Sequence, residues 1–451
     1  MDRLLLSVLV LLFPFGRGAA QISLNVDLLD HWNDTLVPNN GMGATYNETW
    51  AFVHGGEEYA VIGSTLGAHL FRITATDELE YIQLVPGAFQ GPVIHRDYHD
   101  HAGYLYAVCD QGASSLQIMD LQYLPDSVHV VYDSADLVTT AHNIFIDTAT
   151  ARMYVCGPAG FAMLVLSLAD PVQPVPAGVL LQQDYVHDAF VRNDTAYLNA
   201  AGQGLWVYDM TDPAQPIVLG SLTTYPDQGY NHSGWLSADG GTYVFADETE
   251  GMRMKVCDVN DLSDINVLGL FNSGETPTTI PHNLMLRDDL VYVSHYNDGL
   301  QIFDISDPMA PQKVGFYDTY PFADTTSNYR GAWGVYAVLP SGRILISDRQ
   351  SGLYLLHYSP PTGVEERPGA EGMAVWPVPA RERVQVQVDG TWSNGRLALL
   401  DAAGRTLLER VGVGIPSGGR LALEVGDLAP GLYVLRLAEG LRVATARIVV
   451  E

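Results

Sequence analysis

Lysine is nearly missing from this chain. Only Lys255 and Lys313 occur in 451 residues, against 52 Asp and Glu and a formal charge of −29. So acidic a surface repels phosphate backbones, which excludes nucleic acid as a partner. Repulsion keeps such a surface soluble; a salty habitat or divalent-cation binding are the other readings of the same charge. Cysteine is as scarce, with three residues, an odd number. Cys109 follows Tyr106-Ala107-Val108 and Cys156 follows Tyr154-Val155, positions that suit buried thiols acting as small hydrophobes. A Cys109–Cys156 bridge between neighbouring repeats is the competing reading. Nothing basic stands beside either residue to activate it.

Long apolar runs are missing beyond the N-terminus. There, Arg3, the apolar stretch Leu4 to Phe15 and the small residues Gly18-Ala19-Ala20 form a signal peptide over residues 1–20. That stretch is shorter than the ~20 residues a membrane-spanning helix needs, so the expected product is exported, without a transmembrane segment, and monomeric. No helical stripe competes with the strand pattern. Gly-x-Ser-x-Gly elbows, Gly-rich phosphate loops and His-Glu-x-x-His zinc motifs are all absent, so no catalytic residue is assigned and enzyme status stays open.

What the chain does contain is a repeat. Between Tyr46 and His357 one unit recurs six or seven times, with openings at Tyr46–Trp50, His95–His101, His142, His187, His232, His282 and Tyr329–Trp333. The interval of roughly 45 residues matches a four-stranded propeller blade. Strands such as Thr195-Ala196-Tyr197-Leu198 and Leu290-Val291-Tyr292-Val293 are β-branched and aromatic. Each unit closes on a turn such as Asp209-Met210-Thr211-Asp212-Pro213 or Asp304-Ile305-Ser306-Asp307-Pro308. Asp caps and Pro stops such a corner, and calcium binding by these aspartates is the sharper, less supported alternative. A fourth, outer strand follows each turn. The last unit, ending Leu353-Tyr354-Leu355-Leu356-His357-Tyr358, lacks one, and Ile22 to Leu29 fits as the missing strand, closing the ring. The expectation is an all-β chain: a seven-bladed propeller over residues 21–359, with six or eight blades as fallback.

The openings carry a resemblance. Ala141-His142-Asn143-Ile144, Tyr185-Val186-His187-Asp188-Ala189, Gly229 to Leu236 with Asp247-Glu248, Pro281-His282-Asn283-Leu284 and Gly331-Ala332-Trp333-Gly334 resemble the choice-of-anchor B proteins, built from LVIVD-type repeats. That family joins a shared extracellular domain to different surface anchors, so the resemblance implies fold and location rather than a reaction. The second unit, His95-Arg96-Asp97-Tyr98-His99-Asp100-His101, is richer in histidine than the Trp-Arg-Asp of the family pattern.

A Pro/Gly/Glu-rich linker, residues 360–373, interrupts the pattern. Beyond it, over 374–451, alternating stretches such as Val384-Gln385-Val386-Gln387-Val388 and Leu432-Tyr433-Val434-Leu435-Arg436-Leu437 predict a small β-sandwich. This tail is similar to the type A sorting domain of the type IX secretion system, with Trp376 and Val378 departing from the usual Tyr-Pro-Asn-Pro. The resemblance implies the secretion machinery as partner, export across a Gram-negative outer membrane, surface attachment and removal of the tail. Asn-x-Ser/Thr tripeptides at Asn33, Asn47, Asn193 and Asn231 are then chance matches.

The candidate site is a set of histidines. His142, His187, His232 and His282 occupy one equivalent position in four consecutive repeats, which a propeller places around its axis. With His99, His101, Asp188, Asp247 and Glu248 as neighbours, they suit a divalent transition metal. The same residues also fit a purely structural part, each ring hydrogen-bonding between adjacent units. Asp97, His99 and His101 share a strand face and form a second, denser group with His95. Two functions remain: a surface module binding a glycan, peptide or protein ligand, and a metal-dependent secreted enzyme centred on the histidines.

Overall fold

The computed structural model describes residues 23–275, 278–320, 329–360, 373–388, 390–401, 405–416, 418–439 and 442–450. The expected signal peptide and nearly all of the linker lie outside them. The described residues contain strands and turns and no helix. The chain forms two compact units that divide after Pro360.

In the first unit the strands group into seven antiparallel sheets, six of four strands and one of five. Their first strands are Tyr46–His54, Arg96–His101, Asn143–Asp147, Asp188–Arg192, Asn231–Leu236, Leu284–Arg287 and Ala332–Tyr336. Each packs against the next, and the last packs against the first. The sheets therefore circle one axis, with first strands innermost. Middle strands are buried on both faces: Leu198, Val244, Phe245, Val291 and Tyr292 are wholly inaccessible, packed between neighbouring sheets. Outer strands are half solvated, as in Ile217–Leu222.

Two devices in the repeat set this geometry. The Asp-rich corners are turns in which each carboxylate accepts from the N–H two residues on: Asp209 from Thr211, Asp212 from Ala214, Asp304 from Ser306 and Asp307 from Met309. Beyond each corner the outer strand slips by one residue, at Val165/Leu166, Val207/Tyr208, Val256/Cys257 and Ile302/Phe303. Such a bulge sharpens the local twist. Beside it sits a glycine against the next sheet's corner. A Cβ on Gly178, Gly220 or Gly269 would fall 2.0, 1.8 and 2.1 Å from the carbonyls of Pro213, Leu262 and Pro308. The glycine is what lets adjacent sheets close.

The N-terminal segment completes the ring as the sequence suggests. Val26–Trp32 pairs antiparallel with Gly352–Tyr358 as outer strand of the last sheet. Ser23–Leu24 goes further and adds a fifth strand to the preceding sheet, beside Gln312–Tyr317. The Trp32 ring then lies against Phe71 and Tyr81 of the first sheet. Cys109, Cys156 and Cys257 are all free and buried, so the Cys109–Cys156 bridge does not form, and burial pushes the thiols of Cys156 and Cys257 up.

The second unit is a sandwich. A three-stranded sheet of Met373–Trp376, Arg383–Val388 and Arg420–Glu424 and a four-stranded sheet of Thr406–Ile415, Trp392–Asp401, Gly431–Glu439 and Arg442–Val450 share one core. Val384, Val386 and Val388 from one meet Leu397, Leu399, Leu435 and Leu437 from the other, the inward set of a period-2 pattern.

Candidate metal centre and axial channel

Because every first strand starts at the same end of the axis, equivalent residues at those starts meet there. His95, His142, His187, His232, His282 and Trp333, from six successive sheets, form a closed circle of rings. Centroid separations around it are 4.5, 4.1, 3.9, 4.3 and 4.2 Å, and 5.5 Å from Trp333 back to His95.

In His142, His187 and His282 the second nitrogen is fixed by its surroundings. His187 Nδ1 lies 3.0 Å from the His232 carbonyl and His282 Nδ1 2.6 Å from the Trp333 carbonyl. A carbonyl only accepts, so both Nδ1 atoms carry the proton and both Nε2 atoms keep the lone pair a metal requires. His142 Nδ1 meets the Asp110 carboxylate at 3.1 Å, a carboxylate–imidazole pair of the kind that orients metal ligands. His232 Nε2 stands 3.5 Å from Glu248. Burial, reinforced by the neighbouring imidazoles, holds His187, His232 and His282 well below the ordinary histidine range, and His95 down at about 3. These rings are neutral at pH 7.

Donor atoms converge in two groups that share His232: His142, His187 and His232, and His232, Glu248 and His282. Within each, one donor atom per residue lies within 4.8 Å of the others. Three imidazoles, or two with a carboxylate, are donor sets that suit zinc, copper or iron. Burial raises Glu248, whose carboxylate also accepts from the Tyr296 hydroxyl.

Just below the circle the channel changes character. A cavity of about 60 Å3, room for a few waters, is lined by Glu48, Asp97, Asn143, Asp188, Ser233 and Asn283. Glu48 accepts from the Asn283 amide at 2.7 Å, and Asp97 from the Ile144 N–H at 2.7 Å. Burial, then mutual repulsion, pushes Glu48 well above the carboxylate range; burial takes Asp97 to about 8 and Asp188 to about 7. Further down, Tyr336, Trp50, His99, Phe145, Phe190 and Trp235 form an aromatic belt. Beside the histidines opens a pocket of about 420 Å3, whose walls include Glu248, Tyr296, Tyr329, Trp333 and Arg349.

Of the residues named from sequence, the structure gathers His142, His187, His232, His282 and Glu248. It takes the others elsewhere. Asp188 lines the cavity below the circle. His99 lies tilted against Trp50, ring centroids 4.3 Å apart, in the belt, and His101 ends the same strand, two residues beyond. Asp247 is committed to other partners: its oxygens take Lys255 Nζ at 2.5 Å, the Tyr225 hydroxyl at 3.0 Å and the Gly229 N–H at 3.0 Å. Sequence reasoning missed Trp333 and His95 as members of the circle, although both hold the repeat position, and it missed Glu48, whose counterparts Asp97 and Asp188 line the same cavity, and Arg349.

Known proteins agree with the architecture. Residues 282–319 match the LVIVD repeat, and residues 374–451 match the secretion system C-terminal sorting domain. The chain therefore carries an LVIVD repeat and a type IX sorting tail. Such a tail engages the secretion machinery and indicates secretion, typically to the cell surface of Gram-negative bacteria. No curated protein matches. Among solved structures, a Lactobacillus plantarum protein is similar over 82% of this chain and 100% of its own, at 13% identity and TM-score 0.52. The WD40 repeats of RRP9 are similar over 75% and 99%, at 9% identity and TM-score 0.53. PorZ, a bacterial surface component of the type IX secretion system of Porphyromonas gingivalis, is similar over 89% and 59%, at 10% identity and TM-score 0.50. At such identities the likeness is one of fold, the β-propeller.

Proposed function

We propose that the propeller is a surface-attached binding module that holds a divalent transition metal at the mouth of its axial channel. His142, His187, His232 and His282, with Glu248, are the ligand set, and the adjoining pocket receives the extracellular ligand. The observation that carries the reading is the convergence of donor atoms within 4.8 Å in each of two groups that share His232, with Nδ1 of His142, His187 and His282 already engaged. Resemblance to the choice-of-anchor B proteins and the sorting tail support delivery to, and retention at, the cell surface after removal of the tail.

The test is metal content of the chain expressed without an affinity tag. Near-stoichiometric zinc, copper or iron is expected, with loss in a His187→Ala/His282→Ala variant that keeps its near-ultraviolet circular dichroism. Metal-free protein after exposure to each ion, or unchanged content in the variant, would falsify the metal centre. A metal-dependent enzyme is the second reading. Glu248 favours it, because burial raises this carboxyl and it stands beside the imidazoles where a proton-transferring group belongs. Chelator-sensitive turnover of a small substrate would select the enzyme.

A further inference from the structure

The pocket beside the histidines holds a buried cation that its walls answer only in part. Arg349 is 7% exposed. Its guanidinium lies 4.4 Å above the Trp333 ring, and one terminal nitrogen donates to the Tyr329 carbonyl. Its Nε is buried and has no partner. Among the described residues no carboxylate forms an ion pair with it. Glu248, in the same pocket, is turned to Tyr296 and His232, and it and Asp348 act on Arg349 only through space. Burying a cation without a partner is expensive, and removing only the partner of a buried pair exposes that expense. A guanidinium offers five donors in a planar fork that matches a carboxylate; here one donor is used within the protein.

The walls describe the rest of the ligand. Tyr296, Tyr329 and Trp333 are aromatic, and Met42, Ala44 and Ile94 are apolar. At about 420 Å3 the pocket has the size of small-molecule sites. Tyr329, 54% exposed, and Met42, 65% exposed, are open lining residues, and Arg330 is a third.

We infer that this pocket is a receptor for a small carboxylate with a flat apolar body, the carboxylate gripped by Arg349 and the body lying among Tyr296, Tyr329 and Trp333. The inference rests on reading the channel mouth as the binding face, and it adds the ligand's chemical class. Arg349 and the histidine cluster meet at Glu248, so a bound carboxylate would lie next to the metal ligands.

Calorimetric titration of the full chain with phenylacetate, phenylacetamide and inorganic phosphate tests it, once after chelator dialysis and once after zinc loading. Phenylacetate is expected to bind at one site, at least about tenfold tighter than its neutral amide, the worth of a charge-assisted hydrogen bond. Arg349→Gln should erase that difference and leave zinc content unchanged. Equal affinity for acid and amide, no phenylacetate binding in either state, or preference for phosphate would overturn the inference. The acid–amide comparison needs no variant, so misfolding of Arg349→Gln leaves the test intact, with Tyr329→Ala as second probe of the aromatic wall. Loss of zinc binding alone, with acid–amide discrimination kept, would defeat the metal reading and not this one.

Discussion

The rings of His187 and His232 lie 3.9 Å apart, and His187 donates through Nδ1 to the backbone carbonyl of His232, 45 residues further along the chain. One imidazole thus fastens two neighbouring sheets and presents its other nitrogen to the axis. The structural and the metal-binding readings of these histidines are therefore compatible: the bond between sheets is what prepares the ligand.

That preparation gives metal binding an unusual acid tolerance. Burial, together with the adjacent rings, holds His187, His232 and His282 well below the ordinary value of about 6.5, so protons compete poorly for their lone pairs. Metal per chain, measured after dialysis at pH 7.5 and at pH 5.5, is expected to be the same. Release with a midpoint near pH 6.5 would contradict it.

The carboxyls beneath the circle act on stability with the opposite sign to a salt-bridged aspartate. Folded Asp97 and Asp188 keep their protons to about pH 8 and 7, whereas the unfolded chain releases them near pH 4. Stability contributed by the protonated forms is complete below pH 4 and is lost as pH rises toward 8, by up to ~1.4 kcal/mol per pH unit per group. Asp97→Asn keeps an acceptor for the Ile144 N–H and removes one titration. Its melting temperature should fall less between pH 6.5 and 8 than that of the parent; an identical fall would count against a protonated Asp97.

Lys255, one of two lysines in the chain, is fully buried, as is its partner Asp247. Lys255→Met leaves Asp247 charged and enclosed, and should destabilise by ~3–5 kcal/mol. Adding Asp247→Asn should recover part of that loss. Urea denaturation of the parent and the two variants measures both, and a single variant within ~0.5 kcal/mol of the parent would refute the pairing argument.

Gly220 is required by its neighbour rather than by its backbone. Its Cβ would fall 1.8 Å from the Leu262 carbonyl, while Gly202 has nothing within 4 Å. Gly220→Ala should cost ~1–3 kcal/mol by forcing sheets apart, and Gly202→Ala should stay within ~0.5 kcal/mol. Equal effects in thermal unfolding would mean that the outer-strand glycines have no part in sheet packing.

The fold was legible because the unit is copied: one strand pattern, read many times, averages out the ambiguity of any single copy. The four histidines were legible for the same reason, since equal repeat positions become equal positions around an axis. What escaped was whatever depends on direction within a strand. Asp247 and Glu248 are adjacent, and successive strand side chains point to opposite faces, so only one faces the axis. His99 lies four residues beyond His95, about 13 Å along an extended strand, which carries it past the circle into the aromatic belt. Arg349 sits at the end of a second strand, in the one sheet where that position is cationic, and repetition says nothing about a singular residue.

The outer strand of the last sheet comes from the other end of the propeller: His31 bonds to the Ser351 carbonyl across 320 residues. During synthesis the ring has no finished intermediate, because Val26–Trp32 waits for Gly352–Tyr358 to exist. The sorting tail, residues 374–451, is made later still. A chain cut short anywhere within the propeller lacks both the partner of its clasp and the sorting tail, so the order of synthesis alone keeps incomplete rings from being labelled for the type IX machinery.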